Sequence, residues 1–117
     1  MKNESDYLLI IDVGHPARHP AQVEADLNAA LSHVRGSKTL RAIKVVHGYG
    51  SHGRGGSTKE TVRNWAFRFR NRMRGMINGE DYGIFDSDTQ EMRDECGQIA
   101  DSDLNAGNPG FTILWIK

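Results

Sequence analysis

Apolar residues along this chain fall into short unbroken runs and longer stripes of helical period. Tyr7 to Val13 is a run of the first kind, closed by Gly14 and Pro16, and reads as a buried strand. From about Pro20 to Arg35 the apolar positions are Val23, Leu27, Ala30, Leu31 and Val34, the spacing of one helix face. Pro20 suits the first turn of that helix and Gly36 its stop. Ala42 to Val46 predicts a second strand. Ser57-Thr58-Lys59-Glu60 forms a capping box, and Val62, Trp65, Ala66, Phe69 and Met73 share one face of the helix expected to follow. Further on, the pattern predicts a short strand around Tyr82–Phe85, a small acidic helix around Asp88–Gln98, and a last strand Phe111–Ile116 launched by the turn Asn108-Pro109-Gly110. This alternation predicts an α/β (α+β) fold with a mainly parallel first half, in one domain spanning residues 1–117.

Composition narrows the class. A hydrophobic content of 38% in 117 residues supports one modest core and argues against disorder. The single cysteine, Cys96, excludes an intramolecular disulfide and favours a reducing compartment. No segment approaches the roughly 20 apolar residues that span a bilayer, and Leu8–Ile11 is too short for a signal peptide, so no membrane partner and a cytoplasmic protein are expected.

Net charge is zero, but its distribution is uneven. Between Arg54 and Arg74 seven basic residues face only Glu60, whereas between Glu80 and Asp103 nine acids face only Arg93. Local fields, not the total, steer a charged ligand, so the basic stretch is the place to look for a polyanion.

The segment Val45-Val46-His47-Gly48-Tyr49-Gly50-Ser51-His52-Gly53-Arg54-Gly55-Gly56 runs from a strand into a glycine-rich loop that opens the basic helix. Such a loop turns backbone N–H groups inward, and a helix start adds positive charge, which together suit a phosphate. Parallel strands joined by a crossover end on one edge of the sheet, so Asp12 and His15 are expected to meet His47 there. A carboxylate and two imidazoles perform general acid–base chemistry on a phosphodiester: one ring draws a proton from water or a ribose 2′-OH, the other protonates the leaving oxygen. Two plainer readings stand beside this one. Asp12 caps its turn, and His15 and His19 sit in a solvated loop before prolines. The H-x₃-H spacing of His15 and His19 is not helical, and a structural zinc site is not expected. A magnesium or manganese ion at Asp12 is compatible with the sequence, without a second acid nearby to support it.

Gly48-Tyr49-Gly50-Ser51-His52-Gly53 satisfies G-x-G-x-x-G by letter, but three further residues and a capping box precede the helix, and no Gly-Lys-Ser/Thr follows. No nucleotide cofactor is expected. Gly48, Gly50 and Gly53 are instead candidates to hold phosphate. At about 100° per residue Lys59, Arg63, Arg70 and Arg74 share one flank of the second helix and, with Arg54, form a track for a phosphate backbone. Arg68 and Arg72 fall on the other flank, where pairing with the acidic 80–103 segment is an equal reading. Tyr49 and Phe67 are candidates to stack a base, while Trp65, Phe69 and Trp115 suit the core.

Several of these residues carry a resemblance. His47-Gly48-Tyr49-Gly50 after the strand, followed by Gly56-Ser57-Thr58-Lys59-Glu60-Thr61-Val62-Arg63-Asn64-Trp65, resembles the Smr (small MutS-related) domain. That family has a leading D-L-H-G element, an H-G-x-G loop, G-x-L-R-x-x-V-x-x-W on the next helix and a late glycine turn, which Gly107–Thr112 resembles. The leading element here is Asp12-Val13-Gly14-His15: Asp12 matches, glycine takes the histidine position, and His15 follows it. Lys59 replaces an arginine, and about 81–103 stands out as an insertion. The resemblance implies a two-layer α/β sandwich with a mixed four-stranded sheet, βαβαββ-like, with an extra short helix near the C-terminus, akin to the C-terminal domain of translation initiation factor three. It also implies binding of DNA or RNA, with DNA-nicking or RNA-cleaving endonuclease activity in some members. Against that expectation stand a binding module without catalysis and a protein-interaction adaptor that uses the acidic segment.

Overall fold

Strands that are apolar on both sides need cover on both sides, and this sheet has it. The computed structural model describes residues 3–49 and 58–117. Its elements are β1 (Asn3–Ser5), β2 (Leu8–Asp12), α1 (Pro20–Arg35), β3 (Ala42–Val46), α2 (Thr58–Arg68), β4 (Met73–Asn78), α3 (Ser87–Cys96) and β5 (Phe111–Ile116). The sheet order is β1-β2-β3-β5-β4. β2 and β3 pair in parallel, and β5 runs antiparallel to both β3 and β4. β2, β3 and β4 therefore point the same way and end on a single edge. The mixed α/β sandwich is the expected architecture, with the three-residue β1 added as an antiparallel edge on β2.

Alternation along each strand divides the core in two. Leu9, Ile43, Val45 and Leu114 face α1 and α2, whose buried stripes include Val23, Leu27, Leu31, Val62 and Trp65. Trp65 is fully buried, stacks at 4.8 Å on Phe69 and donates Nε1–H to Asn28 of α1, which locks the two helices together. Leu8, Ala42, Ile113 and Trp115 face the other way, under Tyr82 and Met92. The segment that the sequence marks as an insertion thus covers the second face of the sheet. It is fastened there by charge: Lys44, 5% exposed, donates to Asp101 at 2.8 and 3.0 Å and to Asp103 at 2.9 Å.

The helix boundaries follow local chemistry. His19 is the N-cap of α1, accepting the Ala21 N–H through Nδ1 at 3.0 Å, and Pro20 opens the helix. Gly36 closes it. α3 is capped by Asp86, whose carboxylate accepts the N–H and the hydroxyl of Thr89. None of the described helices is long and apolar enough to cross a membrane.

Two expectations are corrected. The second helix stops at Arg68 instead of running through Met73. Phe69 leaves helical geometry (φ −105°, ψ 20°), and a 3-10 turn over Arg70–Arg72 leads into β4. The strand expected around Tyr82–Phe85 is β4, nine residues earlier at its start. The vacant side of β5 needs a hydrogen-bonding partner, and Met73–Asn78 supplies it. Tyr82 instead follows a 3-10 turn, Gly79–Asp81, and lies buried edge-on to Phe111.

Candidate functional site

The edge where β2, β3 and β4 end collects most of the chain's chemistry. β2 turns as soon as it leaves the sheet: Asp12 Oδ1 accepts the N–H groups of Gly14 and His15, both at 2.9 Å. His15 Nδ1 lies 3.1 Å from both oxygens of the same carboxylate. Burial works to raise the Asp12 carboxyl, but the N–H bonds from Gly14 and His15 and the imidazole outweigh it and hold it below its ordinary value. Gly14 is required for the approach, because a Cβ there would stand 2.6 Å from the His47 carbonyl oxygen.

Since the carboxylate can only accept, His15 Nδ1 carries a proton, which in the neutral ring leaves the lone pair on Nε2. That nitrogen lies over Gly48, 3.8 Å from where a Cβ would be. Gly48 has φ +87°, the left-handed region that glycine enters without strain. The His15 side chain is 63% exposed, and Tyr49, following Gly48, is 71% exposed. Asp12 and His15, two of the three residues expected to converge at the strand ends, are brought together here.

His47 does not join them. Asp12 pairs in register with Val46, so the next residue, His47, leaves the sheet on the opposite face, toward α2. It is 3% exposed, with Nδ1 2.7 Å from the Gly48 carbonyl and Nε2 2.9 Å from the Thr112 hydroxyl. Nδ1–H must donate to the carbonyl, so Nε2 accepts from Thr112, whose oxygen in turn accepts Arg63 Nε–H at 3.1 Å. Burial pushes the imidazole down to about 4, with Arg63 and Lys59 adding to the shift against the Gly48 hydrogen bond. Both nitrogens are used and the ring is neutral. His47 holds the Gly48 carbonyl and Thr112, and neither nitrogen is left to exchange a proton with a ligand.

The basic track also changes. Arg63 remains at this edge, its guanidinium 2.9 Å from Glu80, and the Lys59 charge acts on both Glu80 and His47. Arg70 sits in the 3-10 turn, stacked 4.0 Å over Phe67, and bonds the Phe67 carbonyl. Arg74 lies on β4 facing α3, over Trp115 and 3.5 Å from Glu95. Because α2 ends early, Arg63, Arg70 and Arg74 do not form one stripe. Arg68 pairs with Glu24 of α1 at 2.6 Å. Gly50, Gly53 and Arg54 lie outside the described residues, as does Ser57, the cap residue of the predicted box.

Thr112 and Glu80 were not among the residues picked out from the sequence. A signal exists for Thr112, the lone hydroxyl inside the apolar run Phe111–Ile116; none exists for Glu80 beyond its being the first acid after the basic block. Among the described residues no group of three or more His, Cys, Asp or Glu gathers as for a metal ion. No family model, curated protein or solved structure matches the chain.

Proposed function

We propose that this protein binds nucleic acid along the carboxyl edge of its sheet and acts on a phosphodiester there through the Asp12–His15 pair. The observation that carries this reading is the exposed His15 imidazole, turned by Asp12 so that Nε2 overhangs Gly48, two residues beyond β3. Asp12 fixes the tautomer and stabilises the imidazolium that forms when Nε2 takes a proton from water or a ribose 2′-OH. That oxygen bonds to phosphorus, the P–O bond to the leaving oxygen breaks, and the leaving oxygen takes its proton from water at this exposed edge. The Smr-like motif and the local basic charge of α2 support the same partner, and Tyr49 offers a face for a base.

The experiment is cleavage of supercoiled plasmid and of structured RNA, with and without chelator, by wild type, His15→Ala and His47→Gln. His15→Ala is expected to lower the rate by about a hundredfold or more, the usual contribution of a general base. His47→Gln should keep cleavage wherever it stays folded. Unchanged cleavage by His15→Ala, or binding that ignores salt, would reject the reading.

A second reading, the protein-interaction adaptor, is favoured by one feature of the acidic segment. Phe85 is 91% exposed, yet its loop is pinned by Asn105 Oδ1 on the Ile84 N–H and by Gln90 on the Ile84 carbonyl. A rigid loop that displays a phenyl ring among carboxylates suits a basic partner with an apolar pocket. Basic, apolar peptides selected from a displayed library should lose about tenfold affinity for Phe85→Ala. Equal affinity for both forms would remove this alternative.

A further inference from the structure

We infer that Arg63 carries an oxyanion site whose resting occupant is the carboxylate of Glu80, and that a phosphate of the bound strand displaces it. Three observations meet there. Arg63 is aligned from behind, its Nε–H held by Thr112, which is itself held by His47. Its two outer nitrogens then face Glu80, at 2.9 Å to Oε1 and 3.4 Å to Oε2. Carboxylate and phosphate present the same pair of oxygens to a guanidinium fork, so the geometry that accepts one accepts the other.

The second observation is charge. The Arg63 guanidinium holds the Glu80 carboxyl below its ordinary value, and Lys59 acts in the same direction. Lys59 thus adds its positive charge to that of Arg63 at the Glu80 carboxylate, which favours an anion there. The third is access. The Glu80 side chain is 38% exposed, on a short 3-10 turn, against 21% for Arg63. An ion pair this open to water adds little to stability and is replaced at little cost, whereas the buried strut behind Arg63 keeps the fork in place. Glu80 thus stands in for the ligand and sets a threshold on binding.

The inference rests on the proposed nucleic-acid reading for the identity of the strand, and two probes keep the failures apart. Inorganic phosphate is titrated while the Arg63 Nε–H resonance is followed by NMR. A single-stranded oligonucleotide is titrated by fluorescence anisotropy at low and high salt. Glu80→Gln is expected to let phosphate move the Arg63 resonance at lower concentration than in wild type, and to tighten oligonucleotide binding about three- to fivefold. Glu91→Gln, which removes a charge of α3 from the open pocket it lines with Arg74, should do neither. In an Arg63→Gln background the added effect of Glu80→Gln should vanish. If that background fails to fold, the phosphate titration of Glu80→Gln alone decides. A phosphate-insensitive Arg63 in Glu80→Gln, or equal effects of Glu80→Gln and Glu91→Gln, overturns the inference even if oligonucleotide binds. A phosphate response without oligonucleotide binding upholds the oxyanion site and rejects the nucleic-acid reading.

Discussion

Replacing Lys44 with methionine is expected to destabilise the fold by about 3 kcal/mol or more, the usual penalty for leaving one half of a buried ion pair alone. The Lys44 side chain is 6% exposed, and its ammonium bonds both Asp101, whose side chain is 10% exposed, and Asp103. It also sits 5.1 Å from the Phe111 ring centre. Tyr82 closes the network by donating its hydroxyl to Asp101 at 3.0 Å. Burial alone would raise the Asp101 carboxyl, but Lys44, the Asp103 N–H and Tyr82 together hold it below its ordinary value. Without Lys44 the carboxylate keeps the burial penalty and loses its largest compensation. Urea denaturation at pH 7 measures the loss, and adding Asp101→Asn to Lys44→Met should recover part of it, because the unpaired charge is then gone. A loss under about 1 kcal/mol would mean that water reaches this network and that the acidic segment is held by its apolar contacts instead.

How far the sequence foretold this arrangement depends on the range of the forces involved. α1 was legible to the residue, since five stripe positions, a proline at the start and a glycine at the stop are all local. So was β5, all of whose residues are buried. The end of α2 was not. Met73 continues the helical period of Val62, Trp65, Ala66 and Phe69, and it does pack on the same face as they do, but from β4. A strand that runs back under the helix returns an apolar side chain to the same core, and periodicity cannot distinguish the two. β4 also lacks the usual signature, with Gly75 and Asn78 in six residues, because an edge strand needs one partner and little else. Tyr82–Phe85 carried the stronger propensity and lost, since backbone pairing with β5 was decided by reach.

The site was half legible for a related reason. Asp12 and His15 are three residues apart, and a turn brings them together without help from the rest of the fold. His47 stands at a strand end before glycines, a place that suggests a proton carrier. The alternation Ile43, Val45, His47 already assigned it to the face under α2, and that parity was the better guide. Lys44 and its acids are 57 and 59 residues apart, a pairing that no local pattern announces.

The burial of His47 makes a further prediction, that stability falls by about 2 kcal/mol between pH 7.5 and pH 5 through this group alone. The folded imidazole is held at about 4, while the unfolded chain returns it to the ordinary 6.5. At pH 7.5 neither state binds the proton, so the group makes no difference. Between 6.5 and 4 the unfolded state takes up a proton that the folded state refuses, so stability drops as pH falls. Below 4 both states are protonated and the loss levels off at about 3 kcal/mol, the free-energy equivalent of the whole shift. The refusal comes first from burial, which takes the imidazolium out of water, and then from the Arg63 and Lys59 charges. A proton on Nε2 would also turn the Thr112 hydroxyl away from the ring. His47→Gln removes the titrating group, so comparing the pH dependence of its unfolding free energy with that of wild type isolates the contribution from the other histidines. In wild type, the His47 ring resonances should stay unshifted by NMR down to about pH 5, one unit above the folded value. Parallel pH profiles for the two proteins, or a ring that titrates near 6.5, would mean that this imidazole is open to solvent and would return it to the list of proton carriers.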